Sequence, residues 1–433
     1  MSDPATNENL REGRRERGDF GKDQGVGMKK GWQTKTLGEV CEVFADGDWV
    51  ESKDQSSEGI RLIQTGNVGE GVFKDRAEKA RYISEATFKR LRCTEIVEGD
   101  CLVSRLPDPV GRSCILPDTG ERMITAVDCT ILRFNPKQLL PTFFNLYSQS
   151  DDYLTTVAKK CTGTTRNRIS RSNLGLTPIP VPPLAEQQRI VGLLDEAFEG
   201  LATAKANAEK NLQNARALFE SHLQSVFTQR DPGWVEKPLG EVCEFENGDR
   251  GKNYPNRNEY VETGIPWINT GHIQPDGTLS MEEMNFITRE KFDSLRSGKI
   301  QPRDLVYCLR GATLGKTALV DPLTEGAVAS SLVILRPSSL LDGSFLYFFL
   351  TSPAGQGLIK GFENGAAQPN LGAKSVAKYP ISFPKLPEQR EIADSLIELR
   401  EQTQRLARLY EQKLAALEVL KKSLLHQAFT GEL

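Results

Sequence analysis

The sequence has few residues of the types that build metal centres or acid–base catalytic sites. Its 433 residues include only three histidines, which are too far apart in the chain to suggest a ligand set. The eight cysteines include no CxxC pair, which argues against a zinc site and, in a reducing cytosol, against disulfides. Since histidine is the commonest general acid or base, we expect no catalytic residue and no metal site in this chain.

Long apolar runs are also missing. No stretch approaches the roughly 20 apolar residues that span a bilayer, and the N-terminus is charged where a signal peptide needs an apolar segment. We therefore expect a cytoplasmic protein with no membrane partner. Because the net charge is −3, any surface for nucleic acid has to be a local one.

Catalytic sequence motifs are equally scarce. The segment 311–317 resembles a P-loop, but Arg310 occupies the position where the first glycine of that loop is needed. The sequence contains no GxSxG, no HExxH and no Asn-Pro-Pro-aromatic segment of the amino-methyltransferase type. These absences disfavour an enzyme.

The chain does contain an internal repeat, in which one unit occurs twice. Trp32 and the segment 37–42 recur as Trp234 and the segment 239–244, an offset of 202 residues. The Leu-x-Glu-Gln segment at 184–187 recurs at 386–389, again with an offset of 202. A repeat of that length is too long for a solenoid and indicates duplicated domains.

Each copy combines a mixed α and β domain with a long helix. The predicted domains span residues 31–183 and 231–385, with strands at 60–64, 101–105 and 130–134 and short helices at 85–91 and 142–151. Residues 1–30, with almost no large apolar side chains, predict a disordered tail.

The long helices are predicted over 184–230 and 386–433, where apolar residues recur every three or four positions. The second stripe includes Leu399, Leu406, Leu409 and Leu420. Two such helices bury their stripes against each other, and an antiparallel pair is the simplest geometry for this chain order. The expected fold class is α+β, with two mixed domains separated by a pair of antiparallel coiled-coil helices and an internal pseudo-twofold repeat.

Three groups of polar residues are candidates for binding DNA. The first consists of basic residues on turns that follow strands, namely Arg105 and Arg112 in the first copy and Arg310 and Lys316 in the second. A glycine in each turn allows a phosphate to approach the backbone, although such a turn can also be a hairpin with solvated charges.

The second group lies in a loop without acidic residues, whose residue types bind phosphates and base edges. Its candidates are Lys160, Thr164, Thr165, Arg166, Asn167 and Arg168, with Gln368 and Asn370 in the second copy. A polar connecting loop is the alternative.

The third group follows a strand in each copy: Gln64, Thr65 and Asn67, then Asn269, Thr270 and His272. Amides at strand ends can pair with adenine, and they can equally cap a turn.

The Pro-Pro-Leu-Ala-Glu-Gln segment at 182–187, its second copy at 386–389 and the C-terminal segment 424–433 resemble the specificity subunit of Type I restriction–modification systems. The resemblance implies two target-recognition domains, each reading one half of a bipartite asymmetric DNA site. It implies helices that set the gap between half-sites and dock two methyltransferase subunits, with restriction/translocase subunits joining them.

The resemblance also implies a non-catalytic chain that binds no cofactor, with S-adenosylmethionine, ATP and Mg on the partner subunits. Two other hypotheses remain open from the residues: a methyltransferase or nuclease with degenerate motifs, and a coiled-coil scaffold for proteins.

Overall fold

The computed structural model describes residues 31–163, 167–229, 232–362 and 370–433. They divide into two compact units. The first unit comprises the described residues up to Lys205 together with Ala415–Leu433, and the second comprises those of Ala206–Leu414. The predicted tail, residues 1–30, lies outside the described residues. Within the described ranges, no helix is long and apolar enough to cross a membrane.

The first unit contains strands β1 to β11 and helices α1 to α4. The strands are β1 (Gln33–Thr36), β2 (Cys41–Asp46), β3 (Gln55–Ser56), β4 (Ile60–Ile63), β5 (Tyr82–Ile83), β6 (Glu95–Ile96), β7 (Cys101–Ser104), β8 (Ser113–Ile115), β9 (Met123–Thr125), β10 (Cys129–Phe134) and β11 (Pro178–Val181). The helices are α1 (Glu85–Leu91), α2 (Pro141–Tyr147), α3 (Asp151–Lys159) and α4 (Arg171–Gly175), followed by the long helix α5 (Leu184–Thr228).

A four-stranded antiparallel sheet, in the order β2-β10-β7-β8, forms the centre of the first unit. The nearly continuous apolar run of β10 is buried because this strand lies between two others. A second sheet, in the order β3-β5-β4-β9-β6, contains the parallel pair β4 and β9. β1 pairs with β11, which brings the start of the domain next to the strand that precedes the long helix.

The second unit repeats this arrangement. Its strands are β12 (Val235–Pro238), β13 (Cys243–Asn247), β14 (Ile265–Ile268), β15 (Asn285–Ile287), β16 (Leu305–Cys308), β17 (Thr317–Leu319), β18 (Ala327–Val328), β19 (Leu332–Pro337) and β20 (Pro380–Phe383). Its helices are α6 (Leu239–Val242), α7 (Arg289–Ser294), α8 (Gly343–Thr351), α9 (Pro353–Phe362), α10 (Ala373–Val376) and the long helix α11 (Leu386–Thr430).

The strand orders of the second unit follow those of the first: β13-β19-β16-β17 in the main sheet and β12 beside β20. Its smaller sheet, β15-β14-β18, corresponds to the β5-β4-β9 part of the five-stranded sheet. The smaller sheet again holds one parallel pair, β14 with β18. The duplication predicted from the sequence is therefore confirmed at the level of topology.

A buried ion pair also recurs at equivalent places. The Asp100 carboxylate, 1% exposed, accepts two hydrogen bonds of 2.8 Å from Arg133. The Asp304 carboxylate, fully buried, accepts bonds of 2.9 and 2.8 Å from Arg336. Each pair ties one central strand to the turn before its neighbour, so both sheets depend on a satisfied buried charge.

One sequence prediction in the first unit is wrong. The single helix expected over 142–151 is two helices, α2 and α3, with a break at residues 148–150. The Ser150 hydroxyl accepts a 3.3 Å hydrogen bond from the Tyr153 amide, so this serine caps a new helix instead of continuing the old one.

The long helices run antiparallel within each unit, as predicted. In the first unit Arg189 donates to the Leu433 carbonyl at 2.7 Å, and Lys205 lies 2.6 Å from Glu418. In the second unit Arg216 and Glu411 are 2.7 Å apart. A position early in α5 thus faces a position late in α11. The ion pairs lie at the edges of the buried contact between the two helices, which we term the seam.

The predicted stripe of α11 is partly wrong. Leu406, Leu409 and Leu420 are 39%, 53% and 47% exposed, whereas Thr403 is 6% exposed. The Thr403 hydroxyl donates to the Leu399 carbonyl at 2.8 Å, so a threonine can lie in the seam without an unsatisfied polar group. Leucine alone was a poor guide to the buried face.

A buried glutamine fixes the start of each long helix. Gln187 is fully buried; its side-chain oxygen accepts from the Leu140 amide, and its side-chain nitrogen donates to the Gln138 and Pro182 carbonyls, each at 2.8 Å. Gln389, also fully buried, makes the same set with Asp342, Leu340 and Pro384 at 2.8 to 2.9 Å. The glutamine of the repeated motif therefore joins helix, preceding strand and domain.

Replacing Gln187 with Leu should destabilise the first unit by at least about 2 kcal/mol, because a buried backbone amide and two carbonyls lose their partner and each such group costs about 1–3 kcal/mol. Urea denaturation monitored by circular dichroism measures the change. The adjacent, exposed Gln188 provides the control, since Gln188→Leu removes no buried bond. Equal unfolding midpoints for the two variants would contradict the role of Gln187.

Candidate nucleic-acid interface

Three of the candidate segments of the first unit meet at one edge of the sheets. The Ala126 amide donates to the Ile63 carbonyl at 2.8 Å, and the Arg105 amide to the Asp128 carbonyl at 2.9 Å. The Ile169 amide in turn donates to the Arg105 carbonyl at 3.3 Å. These backbone bonds link the strand end at residue 63, the turn after β7 and the loop before α4.

The second unit has the same series of backbone bonds. Ala329 donates to Ile268 at 2.7 Å, Leu309 to Ser331 at 2.9 Å, and Leu371 to Leu309 at 2.9 Å. The turns that carry Gly111 and Gly315 also close alike, with glycine amides donating to Ser104 and Cys308 at 2.8 and 2.9 Å. The structure therefore brings the predicted segments together in both copies.

Arg112, predicted to contact a phosphate from its turn, faces inward. Its guanidinium is buried and donates to the carbonyls of Val68 (2.8 Å), Leu106 (2.8 Å), Pro109 (3.0 Å) and Thr65 (2.9 Å). Burial lowers the pKa of this guanidinium from its usual range. Arg112 thus holds the turn after β4 against the turn after β7.

Arg105 is also internal, with a side chain only 5% exposed. It donates to the Val127 carbonyl at 2.5 Å and lies 3.4 Å from the Asp46 carboxylate. Burial lowers its pKa as well. The guanidinium is enclosed by the domain, which disfavours the predicted phosphate contact for this residue too, and the DNA contact itself stays a prediction.

Arg310 and Lys316, the turn candidates of the second unit, are exposed. Lys316 is the counterpart of Arg112, whereas the counterpart of Arg105 is Leu309. The backbone of Arg310 forms an antiparallel bridge with Asn370, another candidate. Arg310 and Asn370 line a groove of about 820 Å³. Its walls are formed by the end of β13, the segment after α7, the turn after β16 and the start of α10. The proximity of Arg310 and Asn370 fits the pattern expected of a nucleic-acid surface.

Three further basic residues line this groove, and the sequence reasoning missed them: Arg250, Arg296 and Lys374, all exposed. With Arg310 they form what we term the cationic groove. The carboxylate in it is Asp249, which accepts hydrogen bonds from the Arg296 and Gly251 amides; these bonds hold its pKa at about 2. Asp249 therefore stays charged, and its side chain organises the groove wall.

A glycine that follows β2 in the first copy and β13 in the second could have indicated this side of the groove from the sequence. A Cβ on Gly47 would lie 2.3 Å from the Ala126 carbonyl oxygen, and one on Gly248 would lie 2.5 Å from that of Ala329. Only glycine fits so close to a neighbouring backbone. The residues two positions on differ between the copies: Trp49, 70% exposed, stands where the second unit has Arg250.

The strand-end candidates are turn caps. The Asn67 side chain accepts from the Gln64 amide at 2.9 Å and donates to the Lys74 and Asp75 carbonyls. In the second unit, Nδ1 of His272 accepts from the Asn269 amide at 3.2 Å. Asn67 and His272 are buried, so of the two readings left open, the structure favours the cap for them. Gln64, Thr65, Asn269 and Thr270 are half-buried on the same turns.

The loop candidates of the first unit divide into three groups. The Lys160 ammonium donates to the Leu176 carbonyl at 2.5 Å, and burial lowers its pKa. Arg168 forms a 2.8 Å ion pair with Asp128, and Asn167 is exposed beside it. The remaining loop candidates, Thr164, Thr165 and Arg166, and Gln368 of the second copy lie outside the described residues.

A model of the Type I restriction modification DNA specificity domain matches this chain twice, over residues 29–212 and 232–417. The EcoBI specificity subunit of Escherichia coli is 23% identical over 312 residues, which cover 66% of this chain and 65% of that relative. The chain thus matches just under two thirds of that relative's length.

Two solved structures share the fold. The HsdS subunit from Thermoanaerobacter tengcongensis is 21% identical and superposes with a TM-score of 0.62 over 94% of this chain and 98% of that chain. A chain from structural work on complex assembly and conformational transition of the type I R-M system is also 21% identical, with a TM-score of 0.73 over 94% and 100% of the two chains.

The different burial of the matched turn residues can be tested by stability alone. Arg112→Ala removes four bonds to backbone carbonyls, two of them buried, and should lower the free energy of unfolding by about 2 kcal/mol or more. Lys316→Ala removes an exposed side chain and should change it by less than about 0.5 kcal/mol. Urea denaturation of both variants checks this, and a loss in Lys316→Ala as large as that in Arg112→Ala would contradict the assignment.

We expect His272 to make the stability of the second unit sensitive to pH. Burial lowers its pKa, and Nδ1 must be unprotonated to accept from Asn269. Because the unfolded value is about 6.5, the stability contributed by the neutral ring is present above about pH 6.5 and is lost as the pH falls below it.

We expect His272→Asn, which installs the residue of the first copy, to remove this part of the pH dependence. Thermal unfolding of wild type and variant across pH 5 to 8 measures the difference, roughly the range in which histidine titrates. Asn67→His is the reciprocal variant and should add such a dependence to the first unit. Parallel stability–pH curves for wild type and His272→Asn would refute the assignment.

Proposed function

The chain belongs to the Type I restriction modification DNA specificity family, and from this membership we propose that each of its two copies reads one half of a bipartite DNA site. The cationic groove is the observation that carries the proposal for the second unit. Of its four exposed cations, Arg296 lies 3.4 Å from the Asp249 carboxylate, which is also bonded to backbone amides, and the other three leave positive charge available to phosphates.

The linings of the two units differ, which supports an asymmetric site. Asp46, Trp49 and Arg168 in the first unit stand where the second has Asn247, Arg250 and Asn370. Carboxylates, amides and guanidiniums accept or donate in different patterns at base edges. Two half-sites of different sequence follow from such a pair of linings.

Partner subunits complete the proposal. The chain docks methyltransferase subunits and, through them, restriction/translocase subunits; S-adenosylmethionine, ATP and Mg belong to those partners. The long helices fix the gap between half-sites. A stand-alone methyltransferase or nuclease and a coiled-coil scaffold have no support from the family match, which covers both copies.

Selection of binders from a randomised duplex library with the full chain, alone and with its methyltransferase subunit, tests this function. The expected result is two unlike half-sites separated by a constant gap. Enrichment without a bipartite motif would overturn the proposal, and methyl transfer by the chain alone would favour the enzyme hypothesis.

Removing cations from the groove should weaken DNA binding. In Arg310→Ala with Lys374→Ala, the slope of log affinity against log salt should fall by about 0.9 for each phosphate that the variant no longer neutralises, on cognate and unrelated duplexes alike. Fluorescence anisotropy over a salt series gives the slope. Lys378→Ala is the matched control, since Lys378 is exposed but does not line the groove.

An unchanged slope in the double variant would remove the groove from the interface. Loss of preference at one base position only, without a change in slope, would instead assign Arg310 to base reading.

A further inference from the structure

We propose that the first unit contains a second DNA contact, a phosphate-binding groove formed by Arg76, Lys79 and Arg81 beside the turn after β4. The inference rests on the proposed function and adds a site that the second unit lacks. The ligand is the phosphate backbone of the duplex whose half-site the first unit reads.

The three cations line a pocket of about 370 Å³ together with Gln64, Gly66 and Asn67. All three are exposed, and none forms an ion pair within the described part of the chain. The fourth basic residue of the pocket, Arg61, is buried and neutralised by Asp75 and Glu121. The charge left over therefore belongs to Arg76, Lys79 and Arg81.

Arg76 is held over the turn by a specific fit. Its backbone adopts the left-handed region, with φ of +51°. A Cβ on Gly66 would lie 2.2 Å from a terminal guanidinium nitrogen of Arg76, so the guanidinium occupies space that only glycine leaves free. Gly66 of the repeated Thr-Gly pair thus leaves room for the Arg76 guanidinium in the first unit.

In the described part of the second unit, the equivalent glycine has no arginine side chain packed against it. A Cβ on Gly271 would meet only the Asn269 side-chain oxygen, at 3.1 Å. The segments are equivalent, because the Lys74 amide donates to the Asn67 carbonyl and the Ser280 amide to the His272 carbonyl, both at 2.8 Å.

Charge separates the two segments further. Residues 74–81 contain four basic and two acidic residues, a net charge of +2, whereas residues 280–285 contain two glutamates and no basic residue, a net charge of −2. The first segment attracts a phosphate and the second repels one.

The pocket shares the turn after β4 with the interface already described. Gln64 lines the pocket, and Arg112 ties the carbonyls of Thr65 and Val68 to the turn after β7. A duplex lying along that edge passes the cations at the same time as the base-reading residues. A DNA phosphate is therefore a better fit to the surroundings than a free anion.

The triple variant Arg76→Ala, Lys79→Ala, Arg81→Ala of the full chain tests the inference. We expect the salt slope of binding to fall by about 0.9 for each phosphate left without its cation, with the selected half-sites unchanged. Lys137→Ala, an exposed lysine of the same unit outside the pocket, is the control and should match wild type. A wild-type slope in the triple variant would overturn the inference.

Gly66→Ala is an independent test that keeps every charge. It displaces the flexible end of Arg76 and should weaken binding about as much as Arg76→Ala, while adding little in the Arg76→Ala background. Additive losses in the double variant would refute the fit of Arg76 against Gly66.

These results are distinguishable from failure of the proposed function. If wild-type chain with its methyltransferase subunit shows no sequence preference, the proposed function fails. If it shows a preference and neither the triple variant nor Gly66→Ala changes binding, only the phosphate groove fails.

Discussion

The hydrogen bonds of two buried glutamines hold each domain to its long helix. Gln187 and Gln389 use a single amide group to satisfy one backbone N–H and two carbonyls where strand, loop and helix converge. In a water-free setting, any of these backbone groups left alone is costly. These bonds therefore fix the first turn of each helix against its own domain, next to the apolar packing of Ile190 and Leu194 in the first unit and of Ala393 and Leu396 in the second.

Much of the fold could be predicted because its signals are periodic or repeated. The offset of 202 residues fixed the duplication, and the three- and four-residue steps of apolar residues placed the helices. The side chains of the interface were harder. A basic residue next to a turn glycine has the same local sequence whether it faces solvent or backbone carbonyls. The sequence therefore could not show that Arg112 is buried and Lys316 exposed. The position of Arg76 depends on Gly66, ten residues away, and no local pattern encodes that fit.

The interface combines a common backbone arrangement with different side chains. The series of backbone bonds through Ile63, Arg105 and Ile169 in one unit has a counterpart through Ile268, Leu309 and Leu371 in the other. Exposed cations are placed differently: Arg250, Arg296, Arg310 and Lys374 line the cationic groove of the second unit, whereas Arg76, Lys79 and Arg81 line the pocket beside the turn after β4 in the first. Under the proposed function, each unit grips its half of the duplex at a different point.

Apart from the glycines at 47 and 248, the backbone bonds that assemble the interface recur with different side chains beside them. Trp49 and Arg250, or Arg168 and Asn370, occupy matching places although they share neither size nor charge. The same backbone arrangement therefore accommodates different side chains at these places. Under the proposed function, the architecture favours the diversification of targets during evolution.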